Sequence, residues 1–130
     1  MPGLAPSAEQ ILVQMRDTLG AAPAVMEKAL DADPTVVVEH ARSKQYAMPP
    51  QGGALDEETR TLVYMAVALA TSDHTCVKAM VAKARSEGTS SAKLLEAFHI
   101  ARLARATAVL GNAEPLFDLV NGRADGGGEL

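Results

Sequence analysis

The 130-residue chain has no tryptophan, and only two Phe and two Tyr. Its apolar share of 48% is therefore carried by Ala, Val, Leu and Met. Small aliphatic side chains with few β-branched runs pack helices closely and make poor sheets, so an all-α fold is expected. A single cysteine, Cys76, excludes an intrachain disulfide framework. The longest apolar run, Thr61 to Ala70, falls far short of the ~20 residues of a membrane span, so no membrane partner is expected. MPGLAPSAEQ has no basic segment followed by an apolar stretch, which reads as no secretory signal and a cytoplasmic location. Twelve basic against sixteen acidic side chains give a net charge of −4, without a basic stripe or an aromatic and arginine groove. Nucleic acid is excluded as a partner on that ground.

What is present is clear helix punctuation. Ser7 and Gln10 form a capping-box pattern ahead of Ile11, Leu12, Met15 and Leu19, and Gly20 stops that helix. A short helix follows from about Pro23. Asp33-Pro34 is an N-cap with a proline at the first helical position, and its helix places Val37, Val38, Ala41 and Met48 together. The breaker cluster Met48 to Ala54 divides a light amino-terminal section from a denser one. Asp56, Glu57 and Glu58 then open a helix that is apolar nearly all round, which predicts burial on every side. Ser72-Asp73 breaks it and caps the helix carrying Val77, Met80, Val81 and Ala84. After Gly88, Thr89 or Ser90 caps the longest helix, which reaches about Leu110 and is closed by Gly111. These elements read as one domain over residues 1–122, with its core at 55–110 and a flexible glycine-rich tail at 123–130.

The longest helix has two apolar sides. Leu94, Phe98, Ala101 and Ala108 form one, and Ile100, Leu103 and Leu110 lie roughly opposite. One small domain covers only one such stripe, so the second is a candidate contact between copies in a homo-oligomer.

Cys76 stands three residues after the Asp73 cap, where helix amides favour a thiolate; it also reads as a small buried hydrophobe. His74, beside it, is either a proton carrier or an exposed first-turn residue. Glu96 and His99 have the E-x-x-H spacing of carboxylate-bridged metal bundles, but only one such pair occurs. Arg102 and Arg105 are candidates for holding an anionic small molecule or for structural ion pairs. His40 falls off its helix's apolar stripe and reads as solvated. The six methionines read as gap-fillers.

The stretch LDEETRTLVYMAVALATSDHTCVKAMVAKARSEGTSSAKLLEAF resembles the core of the AhpD-like alkylhydroperoxidase and carboxymuconolactone decarboxylase family. The likeness rests on Thr59 to Val63 with Ala66-Val67-Ala68, on Asp73 to Met80, and on Gly88-Thr89-Ser90 leading to Leu95-Glu96-Ala97. It implies an all-α AhpD-like helical fold, a homo-oligomer that is a trimer or hexamer, and no cofactor. Peroxidase members use a cysteine pair, a histidine and a glutamate. The matching positions here are Asp73 and Cys76 for the cysteines, Met80 for the histidine and Thr61 for the glutamate. Three of the four groups are thus replaced by side chains that form no disulfide and carry no proton near neutral pH.

Three functions follow as expectations. One is a divergent thiol-dependent, peroxidase-type oxidoreductase using Cys76 and His74. Another is a non-catalytic oligomeric binding or accessory protein with a small apolar pocket. The third is a decarboxylase-like lyase holding a carboxylate substrate on Arg102 or Arg105.

Overall fold

A computed structural model describes residues 5–123, which form seven helices and no strand. They are α1 (Ala8–Leu19), α2 (Ala24–Ala32), α3 (Pro34–Ala47), α4 (Glu57–Ala70), α5 (His74–Ser86), α6 (Ser91–Asn112) and α7 (Glu114–Val120). The all-α expectation holds.

Five of the seven helices, all but α2 and α7, begin where a side chain satisfies a free amide. Ser7 Oγ accepts from the Gln10 N–H at 3.2 Å while Gln10 Oε1 accepts from the Ser7 N–H at 2.8 Å. Asp33 accepts from Thr35 N–H at 3.0 Å, Asp56 from Thr59 N–H at 2.7 Å and Ser90 from Lys93 N–H at 3.2 Å. Gly20 ends α1 in the left-handed region at φ +85°, where its N–H reaches Arg16 O.

α1, α2 and α3 pack on one another and enclose Ile11, Leu12, Met26 and Val37. α4 lies between α5 and α6, α1 touches α5, and α7 contacts α6. Leu12 is 1% exposed and Val37 is fully buried. Each such side chain is worth about 1.5–3 kcal/mol of burial. The amino-terminal section, expected to be light, therefore has a core cluster of its own. Residues from three short helices converge there, which a residue count along one helix does not reveal.

Two more expectations are corrected. α4 is not enclosed on every side: Thr61, Met65 and Ala68 are buried, but Val63 and Val67 are 49% and 57% exposed. Neighbours cover one face of α4 within the chain and leave the other open. Gly111 does not close α6, which continues to Asn112. Gly111 lies outside the left-handed region that would end a helix, and a proline in the first turn of α7 follows. Apart from Arg123, the tail expected to be flexible lies outside the described residues.

Candidate functional site

Ser72, at φ +62°, turns the chain between α4 and α5 and presents Asp73 as the cap of α5. Asp73 Oδ1 accepts from the Cys76 N–H at 3.1 Å. This fixes the first turn of α5 and with it the cysteine. Cys76 is half-buried, and its Sγ lies 3.2 Å from the Tyr64 hydroxyl, which α4 sends across the helix pair.

The electrostatics favour a neutral thiol. Burial pushes the Cys76 pKa up, and the Asp73 carboxylate adds to that rise; the Tyr64 hydroxyl acts in the opposite sense. Tyr64 is itself pushed up to about 12, first by its hydrogen bond to Cys76 and then by burial. Asp73 is held below the usual carboxylate range by the hydrogen bonds from Cys76. Near neutrality the trio is one carboxylate, one thiol and one phenol.

Cys76 opens on a cavity of about 480 Å³ between α1–α3 and the α4–α5 pair. That volume falls within the range of small-molecule sites. Met15, Met26, Met48 and Met80 supply much of the wall, with Leu19 and Val25. The polar lining is sparse: His40, Ser43 and Lys44 from α3, Tyr64 from α4, and Asp73, Thr75 and Cys76 from α5. A second cavity of about 320 Å³, bounded by Arg60 and Val67, shares Met48, Tyr64 and Asp73 with the first.

Of the residues singled out in the sequence, His40, Asp73, Cys76 and Met80 meet at this cavity. Thr61 does not line it. It is fully buried further along the α4–α5 contact, where its hydroxyl lies 2.9 Å from Glu87 Oε1 and accepts from Lys83 Nζ at 3.1 Å. Lys83 also pairs with Glu87 at 2.9 Å and Glu57 at 3.2 Å. His74 is exposed and is not part of the cavity wall. Arg102 and Arg105 are exposed on α6 and line neither of these cavities. Glu96 and His99 are exposed too, and His99 stacks obliquely on Phe98. Among the described residues no group of three or more His, Cys, Asp or Glu could hold a metal ion.

Sequence reasoning missed Tyr64 and Lys44, and it read His40 as solvated without placing it at a site; His40 is exposed and also lines the cavity. Tyr64 had a signal, as the one polar-tipped aromatic in an otherwise aliphatic stretch. His40 and Lys44, one helical turn apart, had a weaker one: they follow the buried Val37 by three and seven residues and so lie towards its side of α3.

A sequence model of the Carboxymuconolactone decarboxylase family matches residues 40–118, from His40 on α3 to Asp118 on α7. No curated protein matches the chain significantly.

Proposed function

This chain belongs to the Carboxymuconolactone decarboxylase family, and on that premise we propose that it binds a small, largely apolar molecule in the Cys76 cavity. The observation that carries the reading is the pairing of a 480 Å³ methionine-lined cavity with a thiol whose pKa is raised. A redox cycle through an intrachain disulfide has no second cysteine to use. With methionine in the place of the resemblance's histidine, the site keeps a binding wall where a proton carrier would stand. Flexible thioethers adapt to a ligand's shape better than branched side chains do.

One observation favours a second reading. Cys76 faces the cavity, and the Tyr64 hydroxyl is placed to donate to a thiolate sulfur. As a one-cysteine peroxidase, the thiolate would attack the distal oxygen of a hydroperoxide, break the O–O bond and release an alcohol. The resulting sulfenate would need an external thiol to restore it.

The protein acts as a homo-oligomer in this proposal, and a trimer or hexamer is the form the family resemblance suggests. Supporting it, Ile100, Leu103 and Leu110 on α6 are 60%, 66% and 61% exposed, and Leu116 and Val120 on α7 are exposed too. Contiguous apolar surface of this kind marks an interaction face. Light scattering at micromolar concentration checks it: a monodisperse species of 13.6 kDa would rule assembly out. A reducing cytoplasm is the proposed setting, where a lone thiol persists.

Methyl-labelled methionine reads binding directly. Small apolar fragments should move the Met15, Met26, Met48 and Met80 signals and leave Met65, which does not line the cavity, in place. Uniformly unmoved signals across a fragment set would defeat the binding reading.

A further inference from the structure

We propose that the ligand is a hydrophobic monocarboxylate, with its acid group on the α3 wall at Lys44 and His40 and its apolar body among the methionines. The inference rests on the binding reading above and gives it a chemical class. His40 and Lys44 are one helical turn apart and both line the 480 Å³ cavity. Both also line the neighbouring cavity of about 250 Å³, so they stand where the two spaces meet.

On α3 the acidic side chain is otherwise engaged: Glu39 pairs with Arg42 at 2.8 Å. Among the described residues neither His40 nor Lys44 forms an ion pair or side-chain hydrogen bond. The exposed rim of the cavity on α3 thus has an ammonium with no ion-pair partner, plus imidazole and Ser43 hydroxyl donors beside it.

The opposite sign sits on α5. Asp73 is ionised at neutral pH, and its carboxylate caps the helix. A second anion near it would be repelled, while Lys44 attracts one, so charge orients the ligand with its head on α3. Four methionine side chains line the same cavity and suit an alkyl or aryl body. A neutral ligand would leave Lys44 unused; a dianion would place its second charge against apolar wall or Asp73. One carboxylate on an apolar body fits the charge pattern.

The test titrates the full chain with octanoate and with 1-octanol, following methionine methyl signals. Octanoate should bind at least about tenfold more tightly than octanol, the scale of one charge-assisted hydrogen bond. Lys44→Gln should bring octanoate down to the octanol level and leave octanol unchanged. The Met65 signal reports that the variant is folded. Equal affinities, or octanoate binding indifferent to Lys44→Gln, would overturn the carboxylate assignment while leaving the cavity reading intact. Unmoved cavity methionines with both ligands would overturn the two together.

Discussion

The two ends of the α4–α5 pair use the same kinds of side chain in opposite ways. At the carboxyl end of α5, Thr61, Lys83, Glu87 and Glu57 satisfy one another, with Lys83 and Glu87 only 16% and 18% exposed. At the amino end, Asp73, Cys76 and Tyr64 are also hydrogen-bonded, but they border open space. The first end is a lock between helices; the second is a wall with room beside it. Thr61 shows what separates them. A threonine there is neutral and short enough to sit inside an ion-pair network, so the polar groups around it serve packing. No described buried side-chain nitrogen or oxygen is left without a partner. Chemistry directed at a ligand belongs to the amino end.

The largest way to break this contrast is to open the lock. Lys83→Ala strands Glu87 beside Thr61 and should cost about 2 kcal/mol, less than a fully buried pair because both partners keep some water. Urea denaturation measures it, and methionine signals from the cavity should stay near their original positions.

At the open end, effects should appear in reactivity more than in stability. Asp73→Asn keeps a good helix cap but removes the charge that raises the Cys76 pKa. The alkylation midpoint should therefore fall, while the unfolding free energy moves by less than about 0.5 kcal/mol. Tyr64→Phe should move the midpoint the other way and by less, since Tyr64's lowering influence is smaller than the rise caused by Asp73. An unchanged midpoint in both variants would mean the trio seen here is not coupled in solution.

pH separates the ends further. Glu57, held down by Lys83, and Asp73, held down by Cys76, have folded pKa values below their unfolded ones. Their stabilisation is full above the ordinary carboxylate range and is lost as pH falls through the folded values. Cys76 has the reverse sign: its contribution is full below the ordinary thiol value of about 8.5 and fades as pH rises through the folded one. Thermal midpoints should hold steady from about pH 5 to 8 and decline on both sides. Cys76→Ser should soften the alkaline decline and spare the acid one.

Much of this fold was legible because caps act locally. Ser7, Asp33, Asp56, Asp73 and Ser90 each announce a helix through bonds spanning two or three residues. The site was legible only in part. Cys76 and Met80 belong to one turn of one helix and were found together. His40 and Lys44 come to the same cavity from α3, across a loop, and no periodicity within a helix records that meeting. The packing role of Thr61 was hidden for the same reason: its partners Lys83 and Glu87 lie on α5, over twenty residues away. The Ile100, Leu103 and Leu110 stripe, read from helical spacing, is open on the folded chain.

The central claim is that Cys76 is a neutral group on a binding wall and does not drive redox turnover. Rapid mixing of the reduced protein with an organic hydroperoxide tests it most directly. At pH 7 Cys76 should be oxidised no faster than a free thiol, and Asp73→Asn should speed the reaction. Rapid oxidation of the unaltered protein, abolished by Cys76→Ser, would contradict the account and establish the one-cysteine peroxidase instead.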